Sequence, residues 1–133
     1  MTKLNRLIRL QKLNVEQQRL ILQPLKNRID KLEEEITHLH NLVQYEQTIA
    51  KESIEGAMAY GAFVKGVYNR TEQIQKFLKE ANLKLNQEMQ KLQDLVARQK
   101  IYEKIDHEEK VREKKKTEQQ YQIDMDEKIF SHH

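Results

Sequence analysis

The sequence is short of the residues that make turns, disulfides and thick cores. Its 133 residues include no cysteine, no tryptophan, one proline and three glycines. Without cysteine there can be no disulfide, no thiol catalysis and no zinc-thiolate site, which suits a reducing compartment. Scarce turn formers argue against a compact sheet protein and against an enzyme whose chemistry sits on loops. The composition therefore predicts an all-α protein.

Apolar residues are also too few and too scattered for a thick core. They make up 38% of the chain, and aromatic residues 6%. No apolar run approaches the roughly 18 residues of a membrane span, and the first residues lack the separate apolar core of a secretory signal. We therefore expect a soluble intracellular protein with a narrow helix-helix seam.

From Leu4 onward, apolar residues recur at alternating steps of three and four, which is the heptad repeat of a coiled coil. Two polar residues, Gln11 and Gln18, interrupt the repeat and form weak layers. A second, less regular repeat runs from Tyr60 to Tyr102. In the first repeat the a positions are Ile8, Val15, Leu22, Ile29, Ile36 and Val43, and the d positions are Leu4, Gln11, Gln18, Leu25, Leu32 and Leu39.

All three glycines, Gly56, Gly61 and Gly66, lie close together between the two repeats. Glycine disfavours a helix interior and often ends a helix, so the cluster predicts the chain reversal. The expected fold is an all-α antiparallel coiled-coil hairpin of one domain, 1–133. Its first helix spans about 3–54, its turn lies near 52–60, and its second helix spans about 57–128.

The favoured register centres the turn on residue 55. It pairs Ile36 with Ile74 and Ile29 with Ala81, and sets Leu22 opposite Glu88, where Met89 is expected to relieve the mismatch. Because Leu4 then lies opposite Asp106, residues 107–133 overhang the hairpin or fray. Nine of the twelve residues in 107–118 are charged, as expected of a solvated segment.

Pro24 falls inside the first heptad run, where proline removes a backbone hydrogen bond and clashes with the preceding turn. We expect either a kink near residues 20–24 of a continuous helix or a break with Pro24 in the first turn of a new helix, and we favour the kink.

Charge is distributed in blocks of opposite sign. Residues 1–28 contain seven Lys or Arg and one acid, a balance of +6, whereas residues 29–55 contain seven acids and two lysines, a balance of −5. A nucleic-acid-coating protein needs a continuous basic face, so no nucleic-acid partner is expected. The first 13 residues also fit an amphipathic membrane-surface helix, but their apolar stripe continues the heptads, which favours burial.

The sequence contains no recognisable catalytic or metal-binding constellation. His38 and His40 project roughly 200° apart on a helix and cannot share a metal ion. His132 and His133 fit a purification-tag remnant or a natural polar end better than a metal site. We expect no enzyme activity, no metal and no cofactor.

Aromatic residues gather near the expected turn. They either close the tip of the hairpin or form an exposed docking patch, because a two-helix structure cannot cover many large apolar groups. The residues are Tyr45, Tyr60, Phe63 and Tyr68.

The order of these features resembles the FliJ family of flagellar type III export proteins. The likeness rests on the opening Leu-Asn-Arg-Leu-Ile-Arg-Leu-Gln-Lys-Leu, the segment Gly61-Ala-Phe-Val-Lys-Gly-Val67, the stretch Lys100-Ile-Tyr-Glu-Lys104 and the ending Met125-Asp-Glu-Lys128. It extends over nearly the whole chain and is closest to shorter, divergent members of that family.

The resemblance implies a stalk-like part of the export apparatus, cytoplasmic and peripheral to the inner membrane at the flagellar base. Its implied partners are the hexameric export ATPase FliI, the export-gate protein FlhA and export chaperones. The gate-binding residues implied by position are Leu42, Tyr45, Phe63, Val67 and Ile74. The residues implied for the ATPase-binding end are Arg6, Arg9, Lys12, Arg98, Lys104 and Arg112.

Two other interpretations remain open. The β-branched a residues and leucine d residues of 25–43 also suit a structural coiled coil that self-associates. The second interpretation is the equivalent stalk protein of an injectisome, which the sequence barely distinguishes from a flagellar export protein.

Overall fold

The chain forms two long helices in a computed structural model that describes residues 2–131. Helix α1 spans Lys3–Ala50 and helix α2 spans Ile54–Ser131. The helices pack against each other, and the described residues contain no strand. The predicted all-α helical pair is therefore confirmed. His132 and His133 lie outside the described residues.

Each helix begins at a hydroxyl side chain that caps it. Thr2 Oγ1 accepts a hydrogen bond from the Asn5 backbone N–H at 3.1 Å, and Ser53 Oγ accepts one from the Gly56 N–H at 2.9 Å. Such caps satisfy N–H groups that have no partner within the first helical turn. Ser53 therefore fixes where α2 begins.

The chain reverses at 51–53, where the Glu52 N–H donates to the Ile49 carbonyl at 3.1 Å. The prediction that the glycines form the turn is wrong, because Gly56, Gly61 and Gly66 all lie inside α2 and none has a positive φ. The Ser53 cap, a strong helix start, outweighs the preference of glycine for helix ends.

Interhelical contacts divide the chain into two compact units. In the unit made of residues 17–91, the buried apolar residues are Leu22, Ile29, Ile74 and Ala81. Residues later in α1 contact residues earlier in α2: Gln18 contacts Glu88, and Glu35 contacts Arg70. The helices of this unit are therefore antiparallel, as predicted.

The favoured register is wrong by one heptad, since it centres the turn on residue 55 and the turn lies at 51–53. A turn centred on Glu52 brings Ile29 to the level of Ile74 and Leu22 to the level of Ala81. All four side chains are buried, as the centre of a heptad seam requires.

The other unit contains residues 2–16 of α1 and 92–131 of α2. Its seam buries Gln11 and Val15 and half-buries Leu95 and Tyr102, whereas every residue from 107 to 131 is exposed. This confirms a second helix that extends beyond its partner after Asp106. The predicted fraying is not observed, because α2 continues to Ser131. We call residues 107–131 the overhang.

The apolar side chains at the start of α1 are partly in the seam and partly exposed to solvent. Leu4, Leu7 and Ile8 are half-buried, as the heptad interpretation requires, whereas Leu10 and Leu13 are exposed. Neither helix has, within the described residues, a stretch apolar enough to cross a membrane.

Pro24 lies inside α1, which continues through it without a break. Proline cannot donate the backbone hydrogen bond that would reach the carbonyl four residues earlier, at Leu20. Both Pro24 and Leu20 are exposed, so water can solvate that carbonyl. The alternative of a broken helix is therefore excluded, and the kink stays a prediction.

Candidate binding surfaces

Four apolar side chains near the turn of unit 17–91 form the first candidate surface. Tyr45 is 63% exposed and Ile49 is 40% exposed, and Leu42 and Phe63 are half-buried. Spacings of three and seven residues place Leu42, Tyr45 and Ile49 on one side of α1. We call these four residues the tip surface.

The heptad repeat places Leu42 and Phe63 at one level of the seam. The salt bridge between Arg70 Nη2 and Glu35 Oε1, at 2.8 Å, fixes one pair of residues that flank the seam. One heptad closer to the turn, the corresponding residues are seven positions later in α1 and seven positions earlier in α2, namely Leu42 and Phe63. The same flank of the seam therefore changes from a charged pair to an apolar pair as it approaches the turn.

Three of the five residues implied for gate binding fall in the tip surface, namely Leu42, Tyr45 and Phe63. Val67 is half-buried in the seam. Ile74 has no exposed surface and belongs to the core, so its assignment to a docking surface is wrong. Ile49 was not among the predicted residues, although its spacing of seven residues from Leu42 places it on the same side of α1.

The second candidate surface is the basic end of the unit made of residues 2–16 and 92–131. All six residues implied for ATPase binding are exposed there, and none forms a salt bridge within the described part of the chain. A shallow groove brings Arg9 and Lys12 of α1 beside Glu103 and Asp106 of α2. The six are Arg6, Arg9, Lys12, Arg98, Lys104 and Arg112.

A buried polar layer crosses the seam of unit 17–91. Gln18 Nε2 donates to Glu88 Oε2 at 2.6 Å and to the Glu88 backbone carbonyl at 2.8 Å. Lys84 Nζ and Lys91 Nζ lie 3.0 and 3.1 Å from Glu88 Oε1. Glu88 is only 4% exposed, so its carboxylate is satisfied almost entirely by protein groups.

This layer keeps Glu88 ionised. The hydrogen bond from Gln18 and the hydrogen bonds from Lys84 and Lys91 stabilise the carboxylate and lower its pKa from 4.5 to about 2, against the opposing effect of burial. The expected relief by Met89 is wrong, because Met89 is exposed and Glu88 finds its partner in Gln18. Both glutamines of the predicted weak layers are buried, and Gln11 Oε1 has no partner among the described residues.

The described part of the chain contains no group of three or more His, Asp or Glu side chains placed to hold a metal ion, and His38 and His40 are both exposed. The arrangement instead offers an apolar surface and a basic surface, both of which can bind other macromolecules.

The chain was compared with family models, curated proteins and solved structures. No family model matches, and neither the curated proteins nor the solved structures include a significant match. A functional assignment therefore depends on the chain's own residues and geometry.

Proposed function

We propose that this chain is a stalk-like component of a flagellar type III protein export apparatus. In this proposal it binds an export-gate protein through the tip surface and an export ATPase through the basic end, and it takes part in escorting export chaperones. It works at the cytoplasmic side of the inner membrane and is held there by its partners. The single observation that carries the proposal is the tip surface on a helical pair of the kind that the resemblance implies.

The tip surface supports a protein partner on physical grounds. Large apolar side chains that stay exposed next to a packed seam favour contact with another protein, and aromatic residues supply much of the binding energy in such contacts. Tyr45 and Phe63 are the aromatic members, and Leu42 and Ile49 extend the apolar area. The neighbouring Glu35–Arg70 pair gives the surface a polar border.

The basic end supports an acidic protein partner. Six exposed cations, five where α1 and α2 pack together and Arg112 in the overhang, attract negative charge and accelerate association with a surface of opposite sign. In the proposal that surface belongs to the ATPase ring, and the ATPase carries out the hydrolysis. The chain contributes binding, and its effect on ATP hydrolysis is exerted through the partner.

The structure weakens the interpretation as a self-associating coiled coil built on the heptad stripe of α1. Leu22 and Ile29 of that stripe are already buried, at the level of Ala81 and Ile74 of the same chain. A dimer through the same stripe would have to open the helical pair and expose its core. The stalk protein of an injectisome would have the same geometry, and only its binding partners distinguish that interpretation from the flagellar one.

A binding experiment with purified components tests the proposal. The wild-type chain, Tyr45→Ala and Phe63→Ala are titrated against the cytoplasmic domain of the gate protein. Each variant is expected to weaken binding by at least about tenfold, as loss of an interface aromatic does, with its helical circular dichroism intact. Tyr121→Ala is the matched control, because Tyr121 is 66% exposed but lies in the overhang.

Two results would contradict the proposal. One is affinity unchanged by both tip variants, and the other is no binding of the wild-type chain to gate or ATPase. The same titration with injectisome partners shows which export system the chain serves, since only the cognate pair should bind tightly.

A further inference from the structure

The heptads of unit 17–91 fit two registers that differ by one heptad. The observed register has its turn at 51–53, and the alternative register centres the turn on residue 55. Ile29 lies level with Ile74 in the observed register and would lie level with Ala81 in the alternative. Ile36 lies level with Val67 and would lie level with Ile74. Both registers bury comparable apolar layers, so the apolar stripe alone does not choose between them.

The Glu88 side chain does distinguish the two registers. Its carboxylate is buried, and Gln18 Nε2 donates to Glu88 Oε2 at 2.6 Å and to the Glu88 backbone carbonyl at 2.8 Å. In the alternative register Leu25, seven residues later in α1, would take the place of Gln18, and Leu22 would lie opposite Glu88. Neither leucine side chain can donate a hydrogen bond. The buried carboxylate would lose the donor that α1 supplies, which is unfavourable.

The two lysines that cover Glu88 do not distinguish the registers. Lys84 and Lys91 belong to α2, as Glu88 does, and their Nζ atoms lie 3.0 and 3.1 Å from Glu88 Oε1. Their spacings of four and three residues from Glu88 stay the same however α2 is aligned with α1. The hydrogen bond from Gln18 crosses the seam, so it is the contact that depends on the register.

We propose that the buried Gln18–Glu88 contact selects the observed register of unit 17–91, and that these two side chains thereby position the tip surface. In the observed register Leu42 lies level with Phe63. In the alternative register Leu42 would lie level with Arg70 instead. The exposed apolar pair of the tip surface would therefore be separated.

The selection acts over a distance along the helix. Leu42 follows Gln18 by 24 residues, which is roughly 36 Å at the rise of an α-helix. Because each helix is continuous between the buried layer and the turn, a shift at one place moves the whole seam of the unit. The Glu35–Arg70 salt bridge at the border of the tip surface would be broken by the same shift.

The register is a property of the free chain and is measured without any export protein. Only its consequence for gate binding rests on the proposed function. The register selection and the export function can therefore fail independently.

Spin labels on the full-length chain measure the register. The chain has no cysteine of its own, so Lys26→Cys and Lys65→Cys, at exposed positions of α1 and α2, attach one label to each helix. The alternative register would slide the helices past each other by seven residues and lengthen the distance between the labels by up to roughly 10 Å. Pulsed electron paramagnetic resonance measures that distance, and we expect a single, shorter distance for the chain with Gln18 and Glu88 in place.

Moving the glutamine by one heptad is the decisive variant. Gln18→Leu together with Leu25→Gln keeps the composition and puts the donor where the alternative register brings Glu88. We expect this exchange variant to show the longer distance. Gln18→Leu together with Glu88→Leu should show both distances, because neither register then has a buried carboxylate to satisfy. Lys84→Gln together with Lys91→Gln is the control and should keep the shorter distance, since both lysines accompany Glu88 in either register.

The shorter distance in an exchange variant that keeps its helical circular dichroism would overturn the proposal, and so would the longer distance in the lysine control. If the exchange variant loses its helices, the variant with two leucines decides, because it replaces polar core side chains with apolar ones. The shorter distance alone in that variant would show that the Gln18–Glu88 contact does not select the register.

Discussion

At the residue scale, the most informative group is Glu88, a carboxylate in a helix-helix seam. A buried charge is costly unless hydrogen bonds and opposite charges compensate it. Gln18 supplies two hydrogen bonds across the seam, and Lys84 and Lys91 cover the carboxylate from the same helix. The sequence shows both Gln18 and Glu88 at core positions, but it reveals their contact only once the register is known.

The lowered pKa of Glu88 predicts how stability depends on pH. The folded chain binds the proton less readily than the unfolded chain, so the contribution of Glu88 to stability is fully present above pH 4.5 and is lost as pH falls toward 2. Urea unfolding from neutral pH to about 2 should show a smaller acid-induced loss in Glu88→Gln than in wild type. Glu80→Gln, at an exposed position of the same helix, is the control. If the free energy of unfolding falls equally with pH in wild type and in Glu88→Gln, Gln18 does not hold the carboxylate ionised.

At the element scale, the heptads predict both helices, because the burial of a stripe is a property of the local sequence. The antiparallel order follows from the short connection between the two repeats. The heptads do not predict the turn. Glycine is tolerated inside α2 because packing along the rest of the helix outweighs its local cost, and the Ser53 cap decides the start instead. An error of a few residues in the turn was enough to shift the register by one heptad.

The glycines inside α2 make a quantitative prediction. A methyl group added at Gly61 or Gly66 meets no atom within 4 Å, so Gly61→Ala and Gly66→Ala should each stabilise the chain by about 0.8–1 kcal/mol. At Gly56 the added carbon would lie 3.0 Å from Ser53 Oγ, so Gly56→Ala should gain less or destabilise. Chemical unfolding measures all three, and equal gains would contradict the role of Ser53 as the cap.

Pro24 offers a second test within an element. Pro24→Ala restores an N–H that can reach the Leu20 carbonyl, and its position is exposed, so no core contact is lost. Proline costs a helix interior about 3 kcal/mol, but it also restricts the unfolded chain by about 1 kcal/mol. The substitution should therefore stabilise α1 by about 1–2 kcal/mol. Gln23→Ala, next to it, is the control. Lower stability for Pro24→Ala would mean that α1 needs the proline for its shape.

At the scale of the whole molecule, the sequence indicates the candidate surfaces only in part. Leu42, Tyr45 and Phe63 keep accessible surface, so their assignment to a docking surface stays a prediction. Ile74 is fully buried, because heptad position alone does not say how deeply a side chain lies in the seam. The start of the overhang was predicted correctly at residue 107 despite the wrong register, because burial ends at Asp106. Function depends on partners, which the fold alone does not specify.

The central claim is that the chain binds two different proteins through separate surfaces. Its most direct test is a three-component binding measurement: the gate-protein domain is immobilised, the chain is added, and the ATPase follows. The account predicts that the ATPase is retained only when the chain is present. It predicts that Tyr45→Ala with Phe63→Ala abolishes gate capture while ATPase binding in solution persists. Displacement of the chain by the ATPase, or equal capture of the double variant, would contradict it.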